Sequence, residues 1–127
     1  MTTPEGAVQL IQDVHRRYGV DAEDVRLVRS PYRICPLGAH IDHQLGTVTA
    51  MAIDRAVWLA FAPAPAGAAG ARVRLSSRSF PGEVEFALND VPDRREGDWG
   101  NFPRGAVRAL HAAGYDLPRG IVGVTDG

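Results

Sequence analysis

Residues 30–43 read SPYRICPLGAHIDH, and this stretch is polar where a plain connection between two strands needs no polar groups. It overlaps a predicted strand, Val25 to Ile34, in which apolar and polar side chains alternate. Pro31 lies inside that strand and predicts an edge position or a bulge. Residues 35–47 fit neither a helix nor a strand, because prolines and glycines stand among polar groups, and they predict a structured loop. Loops held by a rigid sheet are where binding groups concentrate.

Four side chains of this stretch could carry chemistry. Arg33 ends the strand, and His40, Asp42 and His43 follow in the loop. Three potential metal ligands within one short loop seldom meet one ion with good geometry, and no cysteine stands near them, so we predict no metal site. Taken by themselves, these residues favour a loop whose histidines and aspartate hydrogen-bond neighbouring backbone amides.

The rest of the chain predicts an α+β arrangement of one sheet with helices on one face. Apolar spacing and terminal signals predict helices over 4–18 and 101–113. The apolar run 48–62 predicts a strand in its second half, and alternation predicts strands over 72–77, 83–88 and 121–124. Pro81-Gly82 predicts a hairpin between the second and third of these four strands. Residues 62–71 (APAPAGAAGA) are of low complexity and predict a flexible turn.

Composition excludes several classes of function. The chain has 127 residues, of which 45% are hydrophobic, and this is enough for a core. The net charge of −1 provides no basic excess for nucleic acid or an anionic membrane surface. The sequence has no secretory leader, no apolar run long enough to span a bilayer and a single cysteine, so we expect a cytoplasmic protein.

The stretch at 30–43 resembles the galactokinase signature of the GHMP sugar kinases. The family motif runs Ala-Pro-Gly-Arg-Val-Asn-Leu-Ile-Gly-Glu-His-Thr-Asp-Tyr, and this chain matches it in register at Pro31, Arg33, Gly38, His40 and Asp42. Further matches are Gly46, the run AMAI at 50–53, and WGNF at 99–102 with GAV at 105–107, which is similar to the family's Trp-x-Asn-Tyr…Gly-Val helix. The resemblance covers residues 25–127 and implies the mixed sheet of the ribosomal protein S5 domain 2-like fold.

The departures from the motif resemble the galacturonokinase branch, which phosphorylates D-galacturonic acid at C1. Ala39 stands where galactokinases carry a Glu that accepts hydrogen bonds from the sugar's 6-hydroxyl. A uronic acid has a carboxylate at C6, and two facing carboxylates repel each other in a tight pocket. Ala39 therefore fits a uronate substrate better than galactose.

The resemblance also implies a role for each matching residue. Arg33 is expected near the anomeric hydroxyl and the γ-phosphate of ATP, as the catalytic residue. The substrate-binding set is Gly38, Ala39, His40, Asp42 and His43. An ionised Asp42 suits two adjacent sugar hydroxyls. Trp99 and Phe102 match aromatics that border the adenine of ATP in galactokinases, and a packing role in the core is an equally good explanation of both.

The family's glycine- and serine-rich phosphate loop, which holds ATP and helps hold Mg²⁺, has no counterpart in these 127 residues. We therefore expect residues 1–127 to be the N-terminal sugar-binding part of a galactokinase-like kinase domain, truncated before that loop, inactive alone and completed by the remainder of the kinase chain. We expect ATP and Mg²⁺ to be the cofactors of the complete enzyme and neither of them to be held firmly by this chain. Three hypotheses stay open, namely a galacturonokinase, a galactokinase acting on galactose, and a non-catalytic sugar-binding or sensing module.

Overall fold

The computed structural model describes residues 4–67 and 71–127, and these form a mixed five-stranded sheet with two helices. The helices are α1 (Pro4–Tyr18) and α2 (Asn101–Ala112). The strands are β1 (Arg26–Ile34), β2 (Met51–Pro63), β3 (Arg72–Ser77), β4 (Glu83–Ala87) and β5 (Ile121–Asp126). Short 3₁₀ turns occur at Ala22–Asp24 and Asp42–Gln44. No helix in these two described ranges is both long and apolar enough to cross a bilayer.

Most elements lie where the sequence predicts them. The first helix and the strand over 72–77 have the predicted bounds, and β3 pairs with β4 as an antiparallel hairpin. β2 starts earlier than predicted, at Met51, and β5 extends two residues beyond 124 because its end pairs with both β2 and β3. The predicted flexible turn at 62–71 falls partly on residues 68–70, which lie outside the described residues.

The strand order is β1-β2-β5-β3-β4, in which only β3 and β5 are parallel. β1 is therefore an edge strand, as Pro31 predicts, and the register also shifts beside that proline. Pro31 is opposite Ala56, whereas Arg33 is opposite Ala52, so two residues of β1 span four of β2. Such an irregularity bends the ribbon just before the loop that follows.

The two helices pack on opposite faces of the sheet, and this corrects the prediction that both lie on one face. Leu10 and Val14 of α1 pack against Ala60, Val122 and Val124. Val107 of α2 belongs to a second cluster with residues of β3 and β4. Along β5, Val122 and Val124 point to one face of the sheet, and Ile121 and Gly123 lie on the other. Ile121 and Gly123 pair with β3 residues of the second cluster, so the two clusters lie on opposite faces. Since β5 is apolar on both faces, its alternation does not tell which helix covers which side.

Beyond the main sheet, β1 and β2 continue as a two-stranded ribbon. The pairing of β2 with β5 begins at Trp58, whereas its pairing with β1 continues back to Met51. The connection between β1 and β2, residues 35–50, is called the β1–β2 loop below, and it stands at the tip of this ribbon. The ribbon explains why most of β1 is exposed.

Candidate functional site

The β1–β2 loop is held in shape mainly by its own backbone. The backbone N–H of Leu37 donates to Thr49 Oγ1 at 3.0 Å, and the N–H of Thr49 donates to the Leu37 carbonyl, also at 3.0 Å. Inside this clamp, the Ile41 carbonyl accepts the N–H groups of Gln44 and Gly46 at 3.1 and 3.0 Å. A loop fixed by main-chain bonds leaves its polar side chains available for a ligand.

Gly38 is required by the geometry of this loop. Its φ is +81°, a conformation that favours glycine, and a Cβ added there would lie 2.6 Å from the Thr47 carbonyl oxygen. Gly46 is also tightly placed, since its Cβ would lie 2.7 Å from Cδ1 of Ile41. These contacts explain the two glycines of the loop that match the family motif.

The polar side chains of the sequence-predicted site are exposed around this clamp. Ala39, His40, Asp42 and His43 are all exposed, and Nδ1 of His43 lies 4.0 Å from Oδ1 of Asp42. The sequence alone suggested a second role for these side chains, in which they shape the loop by bonding to its backbone amides. In the structure, main-chain N–H groups and carbonyls close the turns of the loop instead. Within residues 4–67 and 71–127, no group of three histidine, cysteine, aspartate or glutamate side chains could hold a metal ion.

Arg33 lies in the ribbon, just before the loop begins. Its guanidinium donates a hydrogen bond to Sγ of Cys35, and both residues are at least partly open to solvent. The shift in register between Pro31 and Arg33 places Arg33 on the loop side of the bend. One N–H group of this guanidinium is used by Cys35, and the remaining N–H groups can donate to an anionic group bound over the loop.

Trp99 and Phe102 lie at the start of α2 and have different surroundings. Trp99 is half-buried against the second core cluster, and its Nε1 donates to the Pro81 carbonyl at 3.2 Å. Phe102 lies in the first turn of α2 and is 80% exposed. Trp99 also lines a cavity of about 370 Å³, whose other walls include Phe80, Pro81, Glu83, Arg95 and Arg104.

The sheet brings the loop and this cavity to the same end of the molecule. β1 ends at Ile34 beside the start of β2, and the antiparallel and parallel pairings place the ends of β5 and β3 on the same side. The β3–β4 turn, residues 78–82, carries Pro81 and therefore also lies on that side. In sheets with parallel strands, ligands bind outside the carboxyl ends of the strands.

Gly127 lies between the β3–β4 turn and β1 at this end of the sheet. Ser79 Oγ donates to the Gly127 carbonyl at 2.8 Å, and an added Cβ at Gly127 would lie 3.1 Å from the Tyr32 hydroxyl of β1. Sequence reasoning did not single out Ser79, and it assigned Pro81 only to a turn. No local pattern could have found their contacts, since their partners lie 48 and 18 residues away along the chain.

Comparisons with known proteins agree with this arrangement. Residues 15–63 match the family model described as the galactokinase galactose-binding signature. The chain is 40% identical over 125 residues to the galacturonokinase of Arabidopsis thaliana, a match that covers 86% of this chain and 28% of that protein. It is 30% identical over 103 residues to the galactokinase of Bacillus subtilis, covering 80% of this chain and 25% of that protein.

A solved structure shows the same fold. The crystal structure of Lactococcus lactis galactokinase complexed with galactose superposes with a TM-score of 0.82 at 27% identity, and the match covers 98% of this chain and 31% of that one. This chain thus spans between about a quarter and a third of the length of these relatives. The matched motif, the mixed sheet and the relatives together show that the chain belongs to the galactokinase-like GHMP sugar kinases.

Proposed function

We propose that this chain forms the sugar-recognition part of a sugar-1-kinase, which transfers the γ-phosphoryl group of ATP to the anomeric hydroxyl of galacturonate. The observation that supports galacturonate as the substrate is Ala39. Its exposed methyl side chain stands in the clamped loop at the position where galactokinases carry a carboxylate. A carboxylate at this position would repel the C6 carboxylate of a uronate, and the methyl group removes that repulsion.

The other loop side chains supply the recognition of the sugar ring. Asp42 is an acceptor with two oxygens, which suits two adjacent ring hydroxyls. His40 can donate to or accept from a further hydroxyl, and His43 beside Asp42 offers a donor toward an anionic substrate. Gly38 lets the backbone turn tightly beneath them.

Arg33 is the catalytic residue of the proposal. Negative charge on the transferred phosphoryl group is stabilised by a fixed guanidinium, and no proton transfer through that group is needed. Its contact with Cys35 holds it in the ribbon beside the loop, where an anomeric hydroxyl would lie.

The nucleotide end of the proposed site is the cavity beside Trp99. The indole N–H of Trp99 already donates to the Pro81 carbonyl, so Trp99 would contact a ligand through its ring rather than through a hydrogen bond. The volume of about 370 Å³ falls within the range of small-molecule pockets, which reaches from roughly 300 to 1,000 Å³. Trp99 and exposed Phe102 would border the base of ATP, and we assign no Mg²⁺ ligand to the described residues.

The proposed partner of the chain, besides the sugar, is the remainder of a kinase chain. A two-stranded ribbon alone is of marginal stability in water. This ribbon and its loop also expose large apolar side chains, at Ile34, Leu37, Ile41, Leu45, Val48 and Met51. The 127 residues carry no phosphate loop of their own, so we expect the chain to bind sugar without turning it over.

Calorimetric titration of the chain tests the sugar specificity. We expect galacturonate to bind at least about tenfold more tightly than galactose, since removing one unpaired charge from a binding pocket changes affinity by that order. Asp42→Asn should weaken binding by about the same factor, whereas the same change at Asp93, which is exposed and pairs with Arg108 of α2, should leave it within roughly twofold. Tighter binding of galactose would support a galactokinase instead.

A second titration separates a kinase from a sensing module. Because the phosphate loop is missing, we expect weak nucleotide binding, and a non-hydrolysable ATP analogue at millimolar concentration should quench the fluorescence of Trp99, which is one of two tryptophans in the chain. A module that binds sugar alone would show the galacturonate heat and no response to the analogue. Absence of heat with either sugar at millimolar concentration would count against every form of the proposal.

A further inference from the structure

Arg104 is a buried cation in a protein whose other arginines stand mostly at the surface. It lies in α2, five residues after Trp99, and is only 7% exposed. Its Nη1 donates to Asp98 Oδ2 at 2.8 Å and to Asn101 Oδ1 at 3.3 Å. Its Nε is also buried and has no hydrogen-bond partner within residues 4–67 and 71–127.

The two partners of Arg104 hold the backbone on both sides of Trp99. Asp98 Oδ1 accepts the N–H of Gly100 at 2.8 Å, and Asn101 Oδ1 accepts the N–H of Arg95 at 2.9 Å. The hydrogen bonds from Arg104 and from the Gly100 N–H lower the pKa of Asp98 below its usual value, so the carboxylate stays charged. The guanidinium thus ties residues 95–101 into one rigid turn.

This network is an inefficient way to stabilise a fold. Burying a charge with one donor unpaired costs free energy, and apolar replacements of buried ion pairs are often neutral or stabilising. The turn is also closely packed, because a Cβ on Gly100 would lie 2.9 Å from Cγ2 of Val84 and 3.0 Å from Nη2 of Arg104. What the network does hold is the backbone on both sides of Trp99.

We infer that Arg104 is a positioning residue for nucleotide recognition, which acts through Asp98 and Asn101 to hold Trp99 at the wall of the cavity. Arg104 and Trp99 both line that cavity, and the Trp99 side chain is held from the other side by Pro81. The identity of the ligand rests on the proposed function, whereas the positioning of Trp99 does not.

The test uses the full chain in a Trp58→Phe background, in which Trp99 is the remaining tryptophan. Arg104→Met removes the buried guanidinium that bonds to Asp98 and Asn101. Arg108→Met is the matched control, because Arg108 lies one turn further along α2 and pairs at the surface with Asp93. Arg104→Lys keeps a positive charge beside Asp98 but lacks the planar guanidinium with its several N–H donors. Asp98→Asn removes the negative charge that pairs with Arg104.

Two measurements are made on each variant, at a temperature where a thermal scan shows it folded. The first is the exposure of Trp99, followed by its emission maximum and by acrylamide quenching. The second is the dissociation constant for a non-hydrolysable ATP analogue and, in parallel, for galacturonate. We expect Arg104→Met to shift Trp99 emission to the red, to raise its quenching and to weaken nucleotide binding by about tenfold or more, the factor typical of a lost charge-assisted hydrogen bond. Sugar binding should stay within roughly twofold, since Arg104 lies outside the β1–β2 loop.

Arg108→Met should match the parent in every measurement, and Arg104→Lys should recover part of the loss. Asp98→Asn should reproduce the change in Trp99 if Arg104→Met does not fold. Equal Trp99 exposure in the Arg104 and Arg108 variants would overturn the inference, as would a parallel loss of nucleotide and sugar binding, which marks a general structural role. If the parent chain binds no nucleotide, the proposed nucleotide site fails, while the Trp99 measurements still decide whether Arg104 positions the ring.

Discussion

The Pro81 carbonyl accepts a hydrogen bond of 3.2 Å from Nε1 of Trp99, and this bond ties the start of α2 to the β3–β4 turn. Because that turn lies at the same end of the sheet as the β1–β2 loop, the bond places an aromatic ring from late in the chain at the end of the sheet that carries this loop. The candidate site is thus assembled by pairing between distant strands. Each part of this assembly can be tested by substitution.

Trp99→Phe keeps an aromatic ring and removes the indole N–H. We expect the free energy of unfolding to fall by about 1 kcal/mol, the usual cost of one such bond, and the ATP analogue to bind several-fold more weakly. Urea denaturation and calorimetry measure the two effects. Trp58→Phe, on the opposite face of the sheet, is the control and should leave nucleotide binding unchanged. Unaltered nucleotide binding in Trp99→Phe would show that the N–H does not orient the ring.

Ala39→Glu should shift the sugar preference of the chain toward galactose. The new carboxylate can accept from a 6-hydroxyl but repels a C6 carboxylate, so the ratio of the two dissociation constants should change by about tenfold or more. Titration with both sugars gives this ratio. Ala39→Gln adds nearly the same volume without charge, and if it changes the ratio as much as Glu does, steric fit rather than repulsion decides specificity.

Gly38→Ala should damage the loop more than Gly82→Ala damages its turn. Both glycines have a positive φ, of +81° and +84°, so each substitution carries a backbone penalty of about 1 kcal/mol. Only Gly38 adds a clash, with the Thr47 carbonyl oxygen at 2.6 Å, whereas a Cβ on Gly82 meets no atom within 4 Å. We expect Gly38→Ala to abolish measurable galacturonate binding and Gly82→Ala to retain it. Equal binding by the two variants would contradict the assigned role of the loop backbone.

Asp13 should make the stability of the fold sensitive to acid. Burial raises the pKa of its carboxyl, but the hydrogen bonds from Arg78 and Arg16 outweigh burial, so the pKa lies below its usual value. A lowered pKa in the folded state means that the stabilisation is complete above the unfolded value, about 3.9, and is lost as the pH falls through the folded pKa. Arg78 Nε lies 2.9 Å from Asp13 Oδ2 and joins the β3–β4 turn to α1 through this contact.

Urea denaturation of the parent and of Asp13→Asn between pH 7 and pH 3 measures this linkage. At pH 7 the variant should be less stable by about 1 kcal/mol, a value reduced by partial exposure to solvent, and the difference should shrink toward pH 3. Asp21→Asn changes an exposed carboxylate just after α1 and should differ little from the parent across this range. A constant difference for Asp13→Asn would mean that its carboxylate is not the acid-sensitive group.

Local sequence signals were sufficient for the elements and for the loop that carries the candidate sugar site. Helical spacing predicted α1 to its last residue, alternation predicted β3, and Pro31 predicted the irregular edge strand. These features depend on backbone conformation and on solvent exposure within a few residues, which the sequence expresses directly. The roles of Arg33, His40, Asp42 and the other loop residues came from a family motif and stay predictions.

Only the tertiary structure decided how these pieces meet. Strand β5 is apolar on both faces, so nothing in its pattern tells that α1 covers one face and α2 the other. The contact between Trp99 and Pro81, and the burial of Arg104 beside Asp98, depend on the turn 78–82 and the segment 95–104 folding against each other. By itself the sequence determined the local elements and the family, because both depend on the residues within short stretches of the chain. Strand pairing between distant segments decided which helix covers which side of the sheet and placed the β1–β2 loop at the same end as the Trp99 cavity. The hydrogen bonds of this pairing are formed by the backbone and are therefore almost invisible in the side-chain sequence.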